Sequence, residues 1–150
     1  MIICISVGCT KDNEPKGNMF EIGVKELTNV QVNRPFEIVG YLKNNSKHSW
    51  EITHGSGIFS YEVIDENENP VPQEKGILFR NDVGYFKELE PKEIYSHNGE
   101  GQRSKGFYEF TIKKPGKYKV KVNAEFRIEY KGNEYDFKLT SNELHEFTVK

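Results

Sequence analysis

Apolar and polar residues alternate along much of this chain with a period of two, and the longest such run spans 117–131. Tyr118, Val120, Val122, Ala124, Phe126, Ile128 and Tyr130 fall on one side; Lys119, Lys121, Asn123, Glu125, Arg127 and Glu129 fall on the other. Successive side chains of a strand point to opposite faces, so this pattern predicts a strand with one face on a core and one in water. Its length predicts a bend or bulge within it. Lys131-Gly132-Asn133 predicts a hairpin turn, because Gly and Asn accept the positive φ such turns need. Tyr135, Phe137 and Leu139 restart the alternation on the way back, and a closing strand is predicted over 144–149.

The earlier part of the chain follows the same grammar. Phe20, Ile22 and Val24 begin a first strand, and Pro35 introduces a second over 36–43 that stops at Asn44-Asn45-Ser46. Segments 50–53 and 58–64 read as a strand pair, or as one strand broken by Gly55-Ser56-Gly57. After the Asn-, Asp- and Pro-rich turn at 65–72, short strands are predicted at 77–79, 85–89, 94–96 and 107–112. Helical periodicity is nearly absent. Seven to nine short strands separated by regular turn signals predict an all-β, antiparallel β-sandwich.

Composition narrows the class further. With 150 residues there is room for one domain, and ten Phe, eight Tyr and one Trp can supply its core. A net charge of −2, with Lys and Glu interspersed, lacks the clustered basic face of a nucleic-acid binder. Both cysteines, Cys4 and Cys9, precede residue 10. The predicted sandwich therefore has no disulfide, no thiolate nucleophile and no cysteine-based metal site.

Cys9 itself carries a localisation signal. Ile5-Ser6-Val7-Gly8-Cys9 followed by the polar run 10–18 resembles the lipobox of a bacterial lipoprotein, with Cys9 as the lipidated residue. Residues 1–18 are then a residual signal and tether, residues 19–150 the domain, and the protein works outside the cytoplasm on a lipid anchor. A secretory signal carries a basic segment and roughly 7–15 apolar residues. Only Met1 to Gly8 precede Cys9, without Lys or Arg, so this reading takes the chain as starting late. Two alternatives remain open: an edge strand with two buried thiols, which would suit a cytoplasmic protein, or a Cys4–Cys9 disulfide.

Two stretches carry a family likeness. Pro115-Gly116-Lys117-Tyr118-Lys119-Val120 resembles the Pro-Gly-x-Tyr-x-Val start of a late strand in many immunoglobulin-like domains, where the Tyr hydroxyl bonds loop backbone. Leu42-Lys43-Asn44-Asn45-Ser46, Trp50-x-Ile52, Gly55-Ser56-Gly57, Tyr61-x-Val63-x-Asp65 and Leu89-x-Pro91-x-Glu93 follow in order. The series resembles the bacterial family of the intracellular proteinase inhibitor of Bacillus, the BsuPI-like domain, over 35–131. The resemblance implies an immunoglobulin-like β-sandwich and, as an alternative function, proteinase inhibition. The lipobox, the glycine-rich stretch 98–106 and the extra hairpin at Gly132 depart from it. The matched motifs are framework elements and place no inhibitory loop.

Candidate chemistry is sparse. His48, His54, His97 and His145 show no ligand spacing and read as exposed loop histidines, with no metal or other cofactor. His54-Gly55-Ser56-Gly57 lacks the Gly-x-Ser-x-Gly elbow and reads as a glycine-rich turn, and no catalytic residue is assigned. Asn44-Asn45-Ser46 is formally a glycosylation acceptor but reads more simply as a turn. Loops at the sandwich ends are the expected contact sites. They nominate Arg80, Tyr85, Phe86, Asn98 and Arg103 as partner-binding residues. The expected function is a non-catalytic, membrane-anchored binding or accessory domain that contacts a protein partner.

Overall fold

The computed structural model describes residues 13–73 and 76–150. Cys4 and Cys9, and with them the lipidation, edge-strand and disulfide readings, lie outside the described residues. The strands are β1 (Phe20–Val24), β2 (Phe36–Glu37), β3 (Gly40–Asn44), β4 (Trp50–His54), β5 (Phe59–Ile64), β6 (Tyr85–Leu89), β7 (Ile94–Tyr95), β8 (Glu109–Phe110), β9 (Gly116–Tyr130), β10 (Asn133–Thr140) and β11 (His145–Val149). All pair antiparallel, in a three-stranded sheet β1-β3-β7, a six-stranded sheet built on β9, and the short ladder β2-β8. This is an all-β, sandwich-like fold.

The 117–131 alternation forms one unbroken strand of 15 residues, buried at every even position from Tyr118 to Ile128. Both of its edges are occupied. On one edge β11 pairs with 116–120 and β10 with 123–130. On the other, β5 pairs with 119–124 and β4 with 127–128. Between β4 and β5 the ladder is carried by Glu125 N–H donating to Ile58 C=O at 3.0 Å. The β9–β10 hairpin closes on Lys131 (φ 50°) and Gly132 (φ 76°), and two positive values match the twist of the flanking strands.

The described residues form eleven strands against the expected seven to nine, and two predicted segments depart from expectation. The segment 36–43 is two strands in two different sheets. Ile38 N–H donates to Tyr108 C=O, one step further along the β2–β8 register, and Val39 C=O then accepts from Lys25 N–H just beyond β1, both at 2.8 Å. The chain thus passes from the β2-β8 ladder into the three-stranded sheet. The predicted strand at 77–79 is not formed; only Arg80 makes an isolated bridge, to Arg103.

Aromatic side chains join the sheets. Phe20 on β1 meets Phe126 at 5.2 Å edge-on and Phe137 at 5.8 Å, while Phe126 and Phe137 stack at 5.1 Å. Within the six-stranded sheet, Trp50 packs edge-on against Tyr130 at 5.5 Å. The Tyr118 ring is buried and its hydroxyl donates to Lys114 C=O at 2.8 Å, the geometry expected of the Pro-Gly-x-Tyr start.

Asn44 fastens the end of β3 to two other segments. Fully buried, its Nδ2 donates to His48 C=O at 2.6 Å and Leu89 C=O at 3.0 Å, and its Oδ1 accepts from Ser46 N–H and Oγ. Ser46 Oγ in turn accepts from Trp50 Nε1 at 3.0 Å. The amide that the acceptor motif would glycosylate is therefore inside the fold. Asn44→Ala removes the side-chain donor to Leu89 and His48 C=O and the acceptor for Ser46 N–H and Oγ, and should cost about 3 kcal/mol. Tyr118→Phe removes one bond and should cost about 1 kcal/mol. Urea unfolding of the two variants checks both the loss and its ranking.

Candidate binding surface

The loops 55–58, 65–84 and 96–108 converge at one end of the sandwich through buried polar contacts. The glycine-rich stretch, expected as an exposed loop, is folded down. Asn98 Nδ2 donates to Ile38 C=O at 2.7 Å, and its Oδ1 accepts from Tyr61 Oη at 2.6 Å. Tyr61 Oη itself accepts from Gly40 N–H at 2.6 Å. Burial raises the Tyr61 hydroxyl well above the usual phenol range, which keeps it a proton donor. Gly99 sits at φ 76° with Ser56 C=O occupying the place of a Cβ.

Arg103 is only 4 % exposed and belongs to the same network. Its Nε donates to Asn98 C=O and its Nη2 to Phe59 C=O at 3.0 Å, while its guanidinium carbon lies 5.2 Å from the Phe107 ring and 5.7 Å from that of Tyr108. Burial lowers its pKa. Asn98 and Arg103 were expected to offer contact side chains, and the structure corrects this. Both side chains face inward, satisfying carbonyls that the irregular backbone would otherwise leave unpaired.

This network holds a second loop in place. Phe79 N–H donates to Ser104 Oγ at 2.8 Å and its C=O accepts from Ser104 N–H at 2.9 Å; Asn81 N–H donates to Gln102 C=O at 2.8 Å. Pinned there, the segment displays its apolar side chains. Ile77 is 100 % exposed and Phe79 55 %, and Phe86, on the outward face of β6, is 76 % exposed. Arg80 is exposed as expected, whereas Tyr85 is partly buried. Beside Ile77 lies a cleft of about 790 Å³, lined by Asp65, Pro72, Leu78, Ile112 and Tyr118 among others.

The histidines were expected in solvent, but only His48 is exposed; His97 and His145 are half-buried and His54 is buried. His54 is 7 % exposed and packs with His97 at 4.9 Å, Tyr85 at 5.4 Å and Tyr95 at 5.6 Å between ring centroids. His54 Nδ1–H donates to Gly55 C=O at 2.8 Å, which leaves Nε2 to accept from Tyr95 Oη at 2.7 Å. Ser56 Oγ is buried without a partner among the described residues, and both His54 nitrogens are engaged elsewhere, so the two do not form a nucleophile–base pair. Among the described residues no three His, Cys, Asp or Glu side chains are grouped to hold a metal ion.

The residues missed by sequence reasoning are Ile77, Phe79, His54, Tyr95 and His97. Ile77-Leu78-Phe79 is an apolar run without alternation, and such a run beside Gly76 has no face to bury; that signal was available. The ring cluster had no local signal. Fold and surface together define an antiparallel β-sandwich-like domain with a rigid loop end that exposes apolar side chains. No family model and no curated protein matches this chain.

Burial lowers the pKa of His54 and, with the Arg103 charge, that of His97. The unfolded chain, with ordinary values near 6.5, then binds more protons than the folded one once pH falls below about 7. Stability should be full above that value and decline as pH drops through the folded-state values. Urea midpoints between pH 7.5 and 5.0 should fall for the native chain and fall less for His54→Phe; equal slopes would refute the assignment.

Proposed function

We propose that this protein is a non-catalytic binding or accessory domain that contacts a protein partner through the segment 77–86. The observation that carries this reading is the exposure of Ile77, Phe79 and Phe86 on a stretch held by a buried polar network. A fixed loop spends little conformational entropy on binding, and exposed aromatics are efficient anchors. The Ile5–Cys9 pattern supports a lipid anchor on Cys9 and a location outside the cytoplasm. The immunoglobulin-like and BsuPI-like resemblances fit the same picture at the level of framework motifs.

One observation favours proteinase inhibition as the second reading. Ile77 is fully exposed just before a segment whose backbone is held at Phe79 and Asn81, which is how a substrate-like loop would be presented. Titration of a subtilisin-type protease with the full chain separates the two. Unchanged proteolysis at micromolar excess removes inhibition and leaves the accessory role.

A photoreactive residue in place of Phe79 should form a discrete adduct with a partner in cells that make the protein. The same residue in place of Glu134, on the far edge strand, should not. Identical adduct patterns from both positions, or none from position 79, would sink the proposal.

A further inference from the structure

In the six-stranded sheet β5 and β11 each pair with β9 alone, and the path β10-β9-β4-β6 ends in β10 and β6, two edges that are built differently. On the outward face of β10, charges meet opposite charges. Asp136 is opposite Arg127 and bonds it at 2.7 Å, Glu134 lies 3.4 Å from the same Arg, and Lys138 is opposite Glu125 at 3.7 Å. An edge so furnished is neutralised and protected.

On β6 the outward residues are Phe86 and Glu88. Glu88 is paired directly with Glu51 across the ladder, and both are exposed. Neither has an ion-pair partner among the described residues. Like charges placed directly opposite one another are unfavourable. The lysine of this strand, Lys87, points inward and is engaged by Glu93, so it does not guard the edge. No strand pairs with the far side of β6, and no backbone hydrogen bond reaches it there among the described residues.

We propose that the free edge of β6 accepts an extended basic segment of a partner as an added strand. Its backbone pairs with the alternate N–H and C=O groups turned away from β4. One outward side chain of the segment, apolar, lies against Phe86, and a lysine or arginine two positions away answers the Glu51–Glu88 pair. The period of two places both on the same face. This deepens the contact reading, on which it rests, by naming the class of partner.

The test uses the full chain and an N-acetylated, C-amidated six-residue peptide of threonine carrying one valine and one lysine two positions apart, followed by calorimetry and by the amide resonances of β6. Binding is expected, with a glutamate-for-lysine peptide at least about tenfold weaker. Glu88→Lys should weaken the lysine peptide about tenfold and reverse the preference, and Phe86→Ser should weaken both. These side chains are exposed, so an unchanged urea midpoint shows that the variants remain folded. N-methylation of one of the two alternate sets of peptide nitrogens should abolish binding.

No binding of the lysine peptide, equal binding by Glu88→Lys, or tolerance of both N-methylation patterns would overturn the strand-addition proposal. Adducts from position 79 without peptide binding would refute the edge and leave the contact reading standing. Peptide binding without those adducts would support the edge and refute contact through Phe79.

Discussion

The fold depends on β9 having a partner on both edges along nearly its whole length. Fifteen residues with one apolar face bury six side chains, but a strand of that length is stable only if its backbone groups are paired on both sides. Four strands meet this requirement, two on each edge: β10 and β11 follow β9 directly in the sequence, whereas β4 and β5 must be brought from far upstream. The positions of β4 and β5 on one edge leave the loop 55–58 between them, and that loop is where the buried polar network begins. The β1-β3-β7 sheet then closes the core against this spine, through Phe20 above all.

At the loop end the energetics change from apolar burial to hydrogen-bond satisfaction. Irregular backbone at 38–40, 56–59 and 98–104 carries carbonyls that no strand pairs. Asn98, Arg103 and Tyr61 supply the missing donors: Asn98 for Ile38, Arg103 for Asn98 and Phe59, and Tyr61 for Asn98 Oδ1. A buried guanidinium without a carboxylate partner is costly. Here two carbonyls and two aromatic rings, Phe107 and Tyr108, take its place. The result is a loop with fixed geometry, and through the Phe79–Ser104 and Asn81–Gln102 contacts that geometry extends to the apolar side chains in solvent.

Sequence reasoning reached the parts of this structure that local chemistry encodes. The alternation at 117–131, the Lys131-Gly132 turn and the Tyr118 corner each contain their own cause within a few residues, and each is formed as expected. The division of 36–43 was not legible, because long-range partners set it: Ile38 still bonds Tyr108 beside β8, whereas Val39 already bonds Lys25 beside β1. Asn98 and Arg103 were misread as solvent groups for a related reason: a polar residue in a glycine-rich stretch looks exposed until its long-range acceptors are known. His54 was misread in the same way, since its partners Tyr85, Tyr95 and His97 arrive from segments more than 30 positions on.

The ring cluster and the free edge are physically one unit. Tyr85 is the first residue of β6, the register partner of His54, and the ring stacked on it at 5.4 Å. His97 reaches the same Tyr at 4.3 Å from beyond β7. With both imidazoles neutral, His54 Nε2 accepts from Tyr95, and the cluster anchors the start of β6 against the opposite sheet. A proton on His54 removes that acceptor and places a cation beside a second imidazole in a site largely screened from water. The first pair of the β4–β6 ladder, Tyr85 opposite His54, is the part of the strand that lies in this cluster. The strand that presents Phe86 and Glu88 is therefore tied at its first residue to a neutral pair of histidines, and its free edge is best defined when both are uncharged.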